Sequence, residues 1–202
     1  MKKTISYSQR ILEFAKNKGI FRSSDLAKEQ IPRVTLTRLV ASGQLEKIDR
    51  GLYCLPNIEF SEKENLIIIA IRVPQAVFCL LTALELHNLT TQLPRRIWIA
   101  MPARSHNPQI DYPPIKMVQY SGESYSEGIE TIHTDKAILR VYNPAKTVVD
   151  CFKYRNKIGL DIAIEALKEV YAKKKASIDE LWYYAKICRV ANVMRPYLEA
   201  IE

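Results

Sequence analysis

The chain has 202 residues, of which 48% are hydrophobic, 26% are charged and only 16 are Gly or Pro, a composition that excludes collagen-like, disordered and repeat-array proteins and allows one large or two small globular domains. Its net charge of +8 is uneven. Residues 1–56 carry eleven Lys/Arg against five Asp/Glu, a balance of +6, while residues 57–202 carry nineteen against seventeen, a balance of +2. A basic segment on a near-neutral body is what attraction to a phosphate backbone requires.

The longest apolar run, Leu66 to Ile71, is far shorter than the ~20 residues that cross a bilayer. Met1-Lys2-Lys3 runs into Ser6, Gln9 and Arg10 instead of an apolar signal core, so no membrane association and a cytoplasmic location are expected. Cys54, Cys79, Cys151 and Cys188 stand 25, 72 and 37 positions apart, and His87, His106 and His133 are equally scattered. Zinc sites use closer spacings. Reduced, partly buried thiols and no metal or other cofactor are expected.

In chain order, Ser8 opens a predicted helix whose apolar positions Ile11, Leu12 and Ala15 recur at helical spacing until Gly19. Ser23 or Ser24 caps a short second helix around Leu26 and Ala27. Pro32 opens a third, with Leu36, Leu39 and Val40 on one face and Gly43 at its end. The pattern then turns extended: Leu45 to Ile48 and Leu52 to Leu55 flank Asp49-Arg50-Gly51, a tight hairpin. Three helices followed by a β-hairpin predict a winged helix-turn-helix over residues 1–56.

In that fold the third helix enters the major groove. With Leu36 as the inward reference, steps of about 100° place Thr35, Arg38 and Ser42 on the outer side, flanked by Arg33 and Thr37. Arg chelates a guanine edge, Thr bonds a base or touches a thymine methyl, and Lys47 and Arg50 on the hairpin face phosphates. The alternative is that Arg33 and Arg38 are solvated positions on an exposed helix face; the helix spacing, the hairpin and the +6 balance agree on DNA instead. These seven residues are the candidate contacts to double-stranded DNA.

Asn57-Ile58-Glu59-Phe60 reads as a linker to a second domain over residues 61–202. Ser61 opens a helix with Glu62 and Glu64 in its first turn. A second helix is predicted over Val77 to Leu86, and strands over Ile97 to Met101, Ile115 to Tyr120, Ile129 to His133 and Ala137 to Tyr142, the last two joined by Thr134-Asp135-Lys136. Helices follow over Ala145 to Phe152 and Leu160 to Tyr171, after the Ser177-Ile178-Asp179-Glu180 capping box, and from Pro196. Helices packed on a mixed or mostly antiparallel sheet make an α+β domain.

This body is poor in catalytic patterns. Its one acid-x-acid triplet, Glu62-Lys63-Glu64, sits in a helix's first turn, and no acid-x-Lys occurs. Gly122-Glu123-Ser124-Tyr125-Ser126 lacks the final Gly of a nucleophile elbow. Asp150 reads as a partner of Lys146 or Lys153 rather than a catalytic acid, and Lys173-Lys174-Lys175 as a solvated helix end. A non-enzymatic protein is expected.

Leu39-Val40-Ala41-Ser42-Gly43-Gln44-Leu45 running into Arg50-Gly51-Leu52-Tyr53, Leu84-Glu85-Leu86-His87-Asn88-Leu89-Thr90-Thr91-Gln92-Leu93-Pro94, and Pro144-Ala145-Lys146-Thr147-Val148-Val149-Asp150-Cys151-Phe152 resemble an AbiEi-type antitoxin. Arg155 to Asp161 with Glu165-Ala166-Leu167, and Met194 to Glu199, extend the resemblance over nearly the whole length. It implies a bacterial phage-defence (abortive infection) protein of a type IV toxin-antitoxin system. Such a protein represses its own operon through the N-terminal domain. Its C-terminal domain counteracts a nucleotidyltransferase-like toxin without a stable complex. The residues alone leave open a plain winged-helix regulator whose C-terminal domain binds an effector or a partner protein.

Overall fold

The computed structural model describes residues 6–26, 31–49, 51–57, 61–110, 112–134 and 136–201. The chain divides into two compact units, Met1–Asn65 and Leu66–Glu202.

The first unit opens with α1 (Tyr7–Lys18). Its cap is Ser6, two residues before the predicted Ser8: the Ser6 hydroxyl accepts from the Gln9 amide at 3.2 Å while the Gln9 side chain accepts from the Ser6 amide at 3.1 Å. This reciprocal box satisfies two of the donors that a helix start leaves unpaired. Gly19 ends the helix, and Phe21–Arg22 form β1. Residues 23–26 make a turn, with the Asp25 carboxylate accepting from the Arg22 amide at 2.8 Å; Ala27 and the rest of the predicted second helix lie outside the described residues. Then come α2 (Arg33–Ala41), β2 (Glu46–Asp49) and β3 (Leu52–Cys54), in a sheet of order β1-β3-β2.

Gly43 takes φ +68 at the end of α2, where the Gln44 amide reaches back to the Leu39 carbonyl at 2.9 Å and the Gly43 amide to Val40 at 3.0 Å. A Cβ at Gly43 would meet nothing, so the turn's handedness, not space, calls for glycine. Ile11, Ala15, Phe21, Leu26, Leu36, Leu39 and Leu45 form the core, with Phe14 edge-on to Phe21 at 5.6 Å and Tyr53 stacked on it at 5.9 Å. This is the winged helix-turn-helix arrangement, with an added strand, β1, too short for a sequence pattern to reveal.

α3 (Glu62–Arg72) carries the chain across the unit boundary. The second unit contains β4 (Val77–Phe78), α4 (Leu80–Leu86), β5 (Ile97–Pro102), β6 (Ile115–Tyr120), α5 (Glu123–Ser126), β7 (Ile129–His133), β8 (Ile138–Tyr142), α6 (Pro144–Lys153), α7 (Arg155–Ile158), α8 (Leu160–Ala172), α9 (Ile178–Ile187) and α10 (Ala191–Glu199). The sheet order is β6-β5-β4-β8-β7. β5 pairs with β6 and β4 with β8 in parallel, while β4–β5 and β7–β8 are antiparallel. The sheet is therefore mixed rather than mostly antiparallel.

Two predicted helices are corrected. Val77 and Phe78 are not helical but form the central strand, since both side chains are buried and their neighbours Ala100, Ile99 and Val141 complete the ladder. Pro196 does not open α10 but lies within it, on a helix anchored by the buried Met194 and Leu198. The Ser177–Glu180 capping box is present as predicted.

At the centre of this unit stands α6, in which every residue from Ala145 to Phe152 is buried. Asn143 caps it, accepting from the Lys146 amide at 2.8 Å. Asp150 is paired as expected, with Lys146 at 2.6 and 2.7 Å, and both side chains are wholly buried. The Lys146 ammonium also lies 4.1 Å from the Tyr142 ring centre and 4.7 Å from that of Tyr120. Burial pushes the Asp150 carboxyl above its ordinary range, against the pull of Lys146 and of the Cys188 thiol 3.5 Å away. Gly128 packs against this pair: a Cβ there would stand 2.9 Å from Lys146 Cβ.

The lysine run lies exposed at the end of α8, as expected, and two of its cations also bond to distant carbonyls. Lys173 pairs with Glu169 at 2.6 Å and donates to the Asn88 carbonyl at 2.7 Å, and Lys175 donates to the His87 carbonyl. Both cations thus reach carbonyls just past the end of α4, where a helix leaves acceptors unpaired. His87 itself donates from Nε2 to the Tyr142 carbonyl at 2.7 Å.

Asp150→Ala removes the counter-charge of a buried ammonium and should destabilise the protein by about 3–5 kcal/mol, whereas Lys146→Met with Asp150→Leu should recover most of that loss. Urea unfolding followed by circular dichroism measures both; equal losses in the single and the double variant would mean that shape, not charge, governs this position.

Candidate nucleic-acid interface

The apolar residues of α2 decide which of its residues face outward. Leu36 and Leu39 are buried and Val40 is half-buried against α1 and the hairpin. Leu36 and Leu39 are about 300° apart at ~100° per residue, so the buried centre lies about 30° from Leu36 alone. The outward stripe accordingly runs through Val34, Thr37, Arg38 and Ala41, all exposed. Arg33 is exposed at the first position of the helix, and Thr35, predicted on the outer side, is half-buried on its flank. Thr35 stands only about 100° from Leu36, on the flank of the helix rather than opposite the core.

Ser42 is exposed, but its hydroxyl donates to the Leu39 carbonyl at 3.1 Å, so its proton serves the helix end and its oxygen is left to accept. Lys47 is exposed on β2 opposite Tyr53, beside a bulge between Lys47 and Asp49. Arg50, the predicted tip residue, lies outside the described residues. Gly51 takes φ +74, and its carbonyl accepts from the Ser23 amide at 2.9 Å, fastening the hairpin to the turn after β1.

Arg33, Arg38 and Lys47 form no ion pair among the described residues. Exposed cations without partners keep their full charge available to phosphates, and an arginine fork on an outward helix face suits a guanine edge. Val34 and Ala41 were missed by reading the sequence for polar contacts; the Leu36–Leu39 pair, taken together, locates both.

In the second unit, the Ser124 hydroxyl donates to the Ile187 carbonyl at 3.1 Å, and α5, which holds it, is only four residues long. The Cys54, Cys79, Cys151 and Cys188 thiols are free and buried, and burial pushes Cys188 up to about 11. No three His, Cys, Asp or Glu side chains gather as a metal-binding group among the described residues, nor is any helix among them long and apolar enough to cross a membrane.

Residues 9–56 match a family described as "Transcriptional regulator, AbiEi antitoxin". The fold is similar to the crystal structure of the RV2827C protein from Mycobacterium tuberculosis, with a TM-score of 0.61 at 14% identity, over 89% of this chain and 71% of that one. A comparison with curated proteins finds no match. The matched segment coincides with the winged unit, from α1 to the end of β3.

Arg38→Ala should weaken binding to a preferred duplex by roughly 1–3 kcal/mol and relax preference at one base pair, with little change on random DNA. Lys47→Ala should instead weaken binding to all sequences alike and lower the salt slope of log K by about 0.9. Fluorescence anisotropy at several salt concentrations separates the two; equal losses for Arg38→Ala on both kinds of DNA would make it a phosphate contact.

Proposed function

We propose that this chain is the antitoxin and transcriptional autorepressor of a type IV toxin-antitoxin system. Residues 1–56 bind double-stranded DNA at the operator of their own operon, with Arg33, Thr37 and Arg38 on α2 facing bases and phosphates, Thr35 and Ser42 at its flank and end, and Lys47 and Arg50 on the wing. Residues 61–202 counteract a nucleotidyltransferase-like toxin without a stable complex. The observation that carries this reading is the coincidence of the antitoxin-regulator match at residues 9–56 with a winged unit whose outward helix face and hairpin bear Arg38 and Lys47, exposed and without an ion pair among the described residues.

A non-enzymatic body is supported by where its best polar groups stand. Asp150 neutralises Lys146 inside the core, and the Ser124 hydroxyl is spent on a backbone carbonyl. The antitoxin role of the body rests on the sequence resemblance. One of its motifs, residues 144–152, forms most of the buried α6, so that motif specifies the fold and leaves contacts with the outside to other residues.

The test uses the full chain carrying Arg38→Ala and Lys47→Ala together. A reporter behind the chain's own promoter should be derepressed, while growth should still be rescued when the toxin is expressed from an unrelated promoter. Loss of rescue at undiminished protein level would mean that protection works through DNA, and the two-role reading would fall.

A further inference from the structure

The outward face of α2 has an exposed apolar residue at its N-terminal end. Val34 is 53% exposed, with Thr37 and Arg38 one turn on and Ala41 a further turn along. Among the described residues the unit's core does not use it: the buried cluster takes Leu36 and Leu39 from this helix. A β-branched residue is also a poorer helix former than the Ala, Lys or Glu that a solvated position accepts. Its neighbours are cationic, with Arg33 beside it and Arg38 one turn away, both without ion pairs among the described residues. A methyl-bearing patch flanked by free cations matches a surface that is anionic overall and apolar at one point. On the major-groove edge of DNA that point is the thymine C5 methyl, which alone among the base edges offers an apolar contact. The recognition helix reads bases through its N-terminal residues, and Val34 is the second residue of α2. Thr37 and Ala41, both short, let the helix backbone approach the groove closely.

We infer that Val34 is a specificity-determining residue that reads a thymine methyl in the operator. This rests on α2 being the DNA-reading helix, as proposed above.

Duplexes selected by the full-length protein from a random-sequence library are resynthesised with deoxyuridine in place of each thymidine in turn, which removes only the methyl group. One thymine per bound helix should stand out, with Kd rising about fourfold on its replacement. In Val34→Ala that penalty should fall below about twofold, with affinity for random DNA and the thermal melting curve unchanged. The inference is overturned if no thymine is sensitive to loss of its methyl, which the wild-type protein alone decides, or if the natively melting variant keeps a penalty of twofold or more. A protein that enriches no sequence at all would instead remove the DNA-reading role of α2, and this inference with it.

Discussion

Burial of α6 on every side is the constraint around which the second unit is organised. A helix with no solvent face has nowhere to place a charge, yet α6 contains Lys146 and Asp150. They stand four residues apart, on one side of the helix and one turn from each other, so each is the other's solvent. Two tyrosine rings and a thiol complete the shell around the pair. Burial and attraction oppose each other there, and the net contribution to stability is small compared with the cost of losing one member. The helices α4, α8 and α9 pack on α6, and the tyrosine rings that face the ammonium come from β6 and β8.

The first unit solves a different problem. It is small, so most of its apolar side chains go into one cluster that fixes α2 against α1 and the hairpin. Having spent Leu36 and Leu39 inward, α2 is left with short, hydroxylated, cationic and methyl-bearing side chains outward. The same two leucines therefore decide both what holds the helix and which residues it offers to a partner.

Much of this was visible in the residues. Four strands, the hairpin around Gly51, the Ser177 box and the Lys146–Asp150 pairing follow from periodicity, turn chemistry and i,i+4 spacing. What stayed hidden depended on distant chain. Val77 and Phe78 look like the start of a helix because apolar residues continue into α4; only pairing with Ala100, Ile99 and Val141 makes them a strand. Lys173 and Lys175 are exposed as their helix-end position suggests, but their bonds to the Asn88 and His87 carbonyls, 85 and 88 positions away, leave no mark in the sequence. Thr35 reads as outward from its hydroxyl, but at about 100° from Leu36 it falls on the flank and is half-buried, while the apolar Val34 and Ala41 take the outward stripe.

The brevity of β4 gives the five-stranded sheet an uneven fabric. β5 and β6 match six residues and β7 and β8 five, yet β4 joins to β5 through two and to β8 through one. The sheet is therefore two well-knit ribbons meeting at a narrow backbone seam, and its continuity is carried by side chains from both faces instead of by the ladder. A seam of that kind transmits little along the main chain. Whatever disturbs one ribbon reaches the other through the packed helices, which makes α6 and its neighbours the mechanical coupling of the unit as well as its core.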